Sequence, residues 1–207
     1  MLQTFSPNML KTFEQCPRKF YLKYVKKISM PINNDIFELG KNIHALASYY
    51  LKKENLYKME QSLNDREKPI WEYLKNTNYF SYECINTEYN LSVKIGDYFY
   101  GGRLDALVKK DEQYYILDYK TGSAPKNAKY DFQTIIYLLA VNAFYNTNNI
   151  TFVYLDLKNN TEVKIELTPE LINEYQKRLT DTTNRIKSGE FTKKSKDCNC
   201  EYNIICY

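Results

Sequence analysis

Residues 101–122 read GGRLDALVKKDEQYYILDYKTG. Two apolar, aromatic-rich runs flank the polar trio Lys110-Asp111-Glu112, the pattern of a β-hairpin. Alternate residues of a strand share a face. Asp118 and Lys120 therefore project together, while Leu117 and Tyr119 turn the other way. The first strand supplies Asp105, set among Leu104, Ala106, Leu107 and Val108. An aspartate in a buried apolar strand is costly unless it is paired or coordinating. An Asp118–Lys120 or Asp105–Lys120 ion pair would meet that need, although buried pairs are weak stabilisers. The other reading is a compact divalent-cation site with an ammonium beside it.

Working outward, residues 87–95, 98–108 and 113–120 read as three strands, separated by Gly96-Asp97 and Lys110-Asp111-Glu112. Such short links force antiparallel neighbours. Downstream the pattern predicts a helix from about Tyr130 to Asn146, strands at 150–157 and 161–167, and a helix from Thr168-Pro169-Glu170 to about Lys187. Upstream, Ser6-Pro7 reads as an N-cap with proline at the first helical position, and Pro17 restarts a helix that turns Phe20, Tyr21, Tyr24 and Val25 to a core. After a loop at 29–36, the spacing of Leu39, Ile43, Leu46 and Tyr50 predicts a helix over 37–52. Residues 53–80 are charged and helical around Trp71–Leu74. With no repeat or linker, residues 1–207 form one mixed α/β domain.

His44 is the chain's single histidine, one position off the apolar stripe, with Gly40 and Ala47 at its own helical spacings. An ordinary helix histidine accounts for it alone. Two carboxylates elsewhere make it a metal-ligand candidate, and two carboxylates plus an imidazole suit Mg²⁺ or Mn²⁺. Such an ion would activate water and polarise a phosphate, with Lys120 holding the nucleophile and neutralising developing charge; that is equipment for phosphodiester cleavage. Gln133 and Tyr137, four apart on one helix face, are positioned to hydrogen-bond a DNA phosphate or base.

The net charge of +4 permits a nucleic-acid partner without demanding one. Basic residues cluster at Arg18, Lys19, Lys23, Lys26 and Lys27, and again at Lys187, Lys193, Lys194 and Lys196. The N-terminus lacks a signal-peptide pattern, and the apolar run from Ile135 to Phe144 is too short to span a bilayer. The expectation is a soluble cytoplasmic protein with no membrane partner. In that compartment disulfides are rare, so five cysteines, three of them in KDCNCEYNIICY, point to metal binding. Their spacing does not choose between zinc and an iron–sulfur cluster.

These motifs, taken in order, resemble the PD-(D/E)XK nuclease superfamily, specifically its RecB-like branch with the CRISPR-associated exonucleases and the AddB nuclease domain. FSPNMLKTFEQCPRKFYLKYV is similar to the family's opening helix and first cluster cysteine; ELGKNIHAL to its histidine motif; GGRLDALV to its aspartate motif; ILDYKTG to its core motif; DFQTIIYLLA to its Gln–Tyr motif. The resemblance covers nearly the whole chain. It implies a restriction-endonuclease-like core, a mainly antiparallel mixed sheet flanked by helices. It assigns His44, Asp105 and Asp118 as ligands of Mg²⁺ or Mn²⁺, Lys120 as the catalytic lysine, and Gln133 and Tyr137 to DNA. It implies a DNA exonuclease acting on single-stranded ends, in DNA repair, recombination or CRISPR adaptation, with protein partners from such a complex.

A 4Fe–4S cluster joining the two chain ends follows by the same analogy, on Cys16, Cys198, Cys200 and Cys206. The family tail has two residues between its first two cysteines, whereas here only Asn199 intervenes; Cys84 is the substitute, although its place ahead of a core strand reads as a packed thiol. Two other readings stay open. One is a nuclease-like subunit of a larger DNA-handling complex, inactive alone, and the other is a zinc protein in which the cysteines are the main feature.

Overall fold

The computed structural model describes residues 2–30, 38–193 and 200–206. At its centre is a mixed six-stranded sheet. Two hairpins build most of it: β2 (Glu83–Ile95), β3 (Tyr98–Lys110) and β4 (Gln113–Lys120). Ile95 pairs with Tyr98 across Gly96-Asp97, and Lys110 with Gln113 across Asp111-Glu112, so both turns have two residues. Each turn opens on a left-handed residue, Gly96 at φ 57° and Asp111 at φ 53°, which matches the twist of the flanking strands.

These tight turns fix the register. Thr87 and Tyr89 pair with Ala106 and Leu104, which sets Glu88 opposite Asp105. Continuing from Ala106 on Leu117, Asp105 stands opposite Asp118. Three carboxylates thus lie in one row across three neighbouring strands. From β4 the chain crosses through α6 (Phe132–Tyr145) to β5 (Ile150–Asp156), which runs parallel to β4 and pairs antiparallel with β6 (Thr161–Glu166).

The pleat sorts side chains to two layers. Ile116, Phe152 and Tyr154 face α1 (Pro7–Gln15), α6 and α7 (Pro169–Lys187); Leu117, Tyr119, Val153 and Leu155 face α3 (Glu38–Leu51) and α5 (Glu67–Lys75). α6 is apolar all round, as a helix packed between the sheet and other helices must be. Ser6, Asp131 and Thr168 cap the starts of α1, α6 and α7.

The expected elements are present, with local differences. β2 begins at Glu83, four residues before the alternation starts. Thr4–Phe5 forms a short strand, β1, parallel to β3 at Phe99 and Tyr100; so short a run carries no periodic signal. After Pro17–Phe20 (α2) the helix widens to a π turn over Tyr21–Val25, which leaves Val25 exposed rather than in the core. The 53–80 region holds α4 (Tyr57–Gln61) and α5. None of the described helices is long and apolar enough to cross a membrane.

Candidate metal centre

His44 reaches the row from α3. Its Nδ1 lies 3.3 Å from Asp105 Oδ1, and its Nε2 lies 3.0 Å from the backbone oxygen of Tyr119. Both partners are acceptors. A neutral imidazole carries one proton, so one of its nitrogens meets an oxygen lone pair against lone pair. An imidazolium, or a cation between the ring and the oxygens, satisfies both contacts. Burial alone would lower the His44 pKa, but Asp105, the Tyr119 carbonyl and Asp118 together hold it above the ordinary value.

Asp105 Oδ2 accepts from the Tyr119 amide at 2.9 Å. That capture takes the donor which would have extended the β3–β4 ladder, whose pairing with β4 ends at Ala106. Towards its start, β3 is paired instead with β1 at Phe99 and Tyr100. The site therefore sits where β3 and β4 part.

Asp118 and Lys120 share the α6 side of β4. Lys120 Nζ is 2.7 Å from Asp118 Oδ2, a close ion pair. Gln133, in the first turn of α6, closes a triangle: its Nε2 donates to Asp118 Oδ1 and its Oε1 accepts from Lys120 Nζ at 3.1 Å. Asp118 is 2% exposed, and burial, with Asp105 nearby, pushes its carboxyl up to about 6; Lys120 and His44 pull it back only in part.

Asp156, also buried, is the useful contrast. It accepts from the amides of Ala124, Lys158 and Asn159 and from Asn159 Nδ2. Although burial opposes them, those donors hold its carboxyl below the usual range. A carboxylate serving the fold is saturated with N–H donors, and Asp118 is not.

Tyr137 lies one turn after Gln133 and is buried; its hydroxyl donates to the Arg103 carbonyl at 2.8 Å. A Cβ at Gly102 would stand 2.8 Å from that hydroxyl. At Gly101 a Cβ would meet the Leu91 carbonyl oxygen at 2.5 Å. The two glycines thus let β3 press against β2 and α6 beside the site. Both ends of the Gln133 amide and the Tyr137 hydroxyl have partners within the protein.

Sequence reasoning missed Glu88. It shares with His44 and Asp105 a set of ligand atoms all within 4.8 Å of one another, the one such group among the described residues. The two-residue turn at Gly96-Asp97 was the signal: it alone places position 88 opposite 105. Glu88 takes a left-handed φ of 51°, with Thr87 turned to Ser48 of α3 and Tyr89 packed in the opposite layer.

The structure thus brings His44, Glu88 and Asp105 together, with Asp118, Lys120 and Gln133 in a linked triangle on β4 and α6. The match to the PD-(D/E)XK nuclease superfamily spans residues 4–207. The chain belongs to this superfamily. Among curated relatives, the CRISPR-associated exonuclease Cas4 of Francisella tularensis subsp. novicida is 26% identical over 196 residues, covering 84% of this chain and 98% of that protein. Among solved structures, a candidate exonuclease of Eubacterium rectale superposes with a TM-score of 0.61 at 12% identity, over 96% of this chain and 86% of the other. At that identity the likeness speaks to the fold, which is the nuclease fold expected.

Among the described residues, Cys84 lies apart from the cysteines near the two chain ends. Cys16 caps α2, its Sγ accepting from the Lys19 amide at 3.5 Å. Cys200 and Cys206 pack with Leu22 and Tyr202. The chain ends are joined there: the Arg18 amide donates to Thr192 O, Tyr202 Oη to Ile28 O, and Lys19 pairs with Glu201 at 2.9 Å. Cys84 sits in β2 against the α3 layer, in a different packing cluster; burial pushes its thiol up. Cys198, Lys194 and Lys196 lie outside the described residues. In the N-terminal basic cluster, Arg18 and Lys26 lie over Tyr21 and Lys23 over Tyr24.

Proposed function

We propose that this protein is a metal-dependent DNA exonuclease, with His44, Asp105 and Asp118 as ligands of Mg²⁺ or Mn²⁺ and Lys120 as the catalytic ammonium. The observation that carries the reading is His44, whose two ring nitrogens both face oxygen acceptors. That geometry fits a cation of oxygen and imidazole preference. Such an ion would lower the pKa of a bound water and polarise the scissile phosphate.

The chain's own groups do the rest. Lys120, drawn to the site edge by Asp118, orients the attacking water and neutralises charge gathering on the phosphate. Gln133 keeps Asp118 and Lys120 in register through its two hydrogen bonds. Tyr137 braces the Gly102-Arg103 backbone. Gln133 and Tyr137 thus act first by positioning the site beneath the DNA.

The reading extends to single-stranded ends as substrate, and to repair, recombination or CRISPR adaptation as setting; similarity to a CRISPR-associated exonuclease supports it. Cys16, Cys198, Cys200 and Cys206 are proposed to hold a 4Fe–4S cluster, with zinc the alternative. The joined chain ends and the placement of Cys200 and Cys206 beside the α2 turn support a shared site. Digestion of end-labelled single- and double-stranded DNA with each divalent metal tests the activity and its polarity. Stepwise shortening of single strands that stops on chelation is expected. No cleavage of any DNA by metal-loaded protein would defeat the proposal.

A further inference from the structure

We propose that Glu88 is a further ligand of the divalent cation and that Arg103 is its counter-charge, competing with the cation for the same carboxylate. The inference rests on the nuclease reading of the His44–Asp105–Asp118 centre. Three observations carry it. Glu88 stands opposite Asp105 in the β2–β3 register, so two carboxylates face each other, which is unfavourable without a cation between or beside them. Its ligand oxygen lies in one group with a ring nitrogen of His44 and an oxygen of Asp105, all within 4.8 Å of one another, close to the roughly 4 Å across which two ligands of one ion can stand.

The third is Arg103. Its Nε lies 2.9 Å from Glu88 Oε2, on the diagonal neighbour of the facing pair, and its side chain is 65% exposed. An exposed pair of this kind contributes little to stability, so Arg103 can leave Glu88 at small cost. Asp105 is meanwhile held by His44 and the Tyr119 amide. Each facing carboxylate therefore has its own cationic or N–H partner, and only Glu88's is free to swing into solvent. A cation settling between Asp105 and Glu88 displaces a guanidinium it need not unfold anything to move.

The test is the sign of two substitutions on one ion pair. Mn²⁺ affinity is measured by titration calorimetry on the full chain without DNA, with circular dichroism to establish folding. Glu88→Gln is expected to weaken binding about tenfold or more, the scale seen when groups around a metal are removed. Arg103→Ala is expected to tighten it several-fold, since it removes both a competitor and a nearby positive charge. A purely structural pair predicts the same sign from either side. Equal weakening by both variants, or no change in either, overturns the proposal. If Glu88→Gln fails to fold, Arg103→Ala decides alone: tighter binding supports the assignment and weaker binding overturns it. Asp105→Asn separates this inference from its foundation. Loss of Mn²⁺ binding there with none at Glu88→Gln removes only the Glu88 assignment; unaltered binding at Asp105→Asn removes the metal centre as well.

Discussion

Asp105 and Asp118 stand opposite each other on β3 and β4, yet each has its own basic partner: His44 Nδ1 at 3.3 Å from Asp105 and Lys120 Nζ at 2.7 Å from Asp118. Their partners come from opposite sides of the sheet, His44 from α3 and Gln133, which donates to Asp118, from α6.

Lys120 separates catalysis from folding. Lys120→Ala should cut exonuclease activity about a hundredfold or more, the cost of removing one preorganised charge at a reacting phosphate. The fold should survive with only a modest fall in melting temperature, because Lys120 is partly exposed and its partner Asp118 can protonate once the ammonium is lost. Normal digestion of single-stranded DNA by this variant would remove Lys120 from the mechanism.

Asp118 makes the metal-free protein less stable as pH rises from about 4 to 7. Its carboxyl is raised from 3.8 to about 6 on folding. A raised pKa means that the protonated form is the one favoured in the native state, so the stabilisation is complete below about pH 4 and lost as pH climbs through 6. His44 is also raised, and contributes loss of the same sign above its ordinary 6.5. Asp118→Asn should therefore stabilise metal-free protein at pH 7 by roughly 1–3 kcal/mol, read by urea denaturation, and flatten the pH 4–6 part of the profile. Added Mn²⁺ should recover stability in the wild type and less in the variant.

Gly101 and Gly122 bracket the hairpin but should respond in opposite ways. A Cβ at Gly101 collides with the Leu91 carbonyl, whereas one at Gly122 meets nothing within 4 Å. Gly101→Ala should cost about 1–3 kcal/mol, and Gly122→Ala should be near neutral. Thermal melts of the two variants side by side check the contrast.

Tyr137 distinguishes a brace from a DNA contact. Tyr137→Phe strands the Arg103 carbonyl and should cost about 1 kcal/mol of stability, while DNA affinity of the metal-bound protein stays nearly unchanged. Weaker DNA binding at unchanged stability would return Tyr137 to the DNA interface.

The cysteines are settled by metal analysis of anaerobically purified protein. Iron and sulfide near four each per chain, falling sharply in Cys206→Ser, are expected of a 4Fe–4S cluster. Stoichiometric zinc without iron would assign the same thiols to zinc.

Much of this was within reach of the linear chain. Proline behind a serine or threonine cap marked the starts of α1 and α7, and apolar, aromatic-rich runs between turn residues marked β3, β4 and β5. The core motif gave Asp118 and Lys120 one face. The exposure of Val25 was not legible, because a π turn shifts the helical phase at Tyr21 and no residue type encodes it. Gln133 and Tyr137 were recognisable as a helix-face pair, but which way that face turned was not, since α6 is apolar all round.

The sequence by itself determined the carboxylate row. Two-residue turns at Gly96-Asp97 and Asp111-Glu112 leave each strand one register with its neighbour, and counting along that register sets Glu88, Asp105 and Asp118 level, although the β3–β4 pairing itself stops at Ala106. Only the tertiary structure decided what surrounds the row. His44 arrives from a helix 61 positions before Asp105, Gln133 from the crossover after β4, and Arg103 from a diagonal neighbour. Turn geometry is a local property that propagates through a ladder, whereas helix rotation and docking are set by how two faces of one sheet are covered at once.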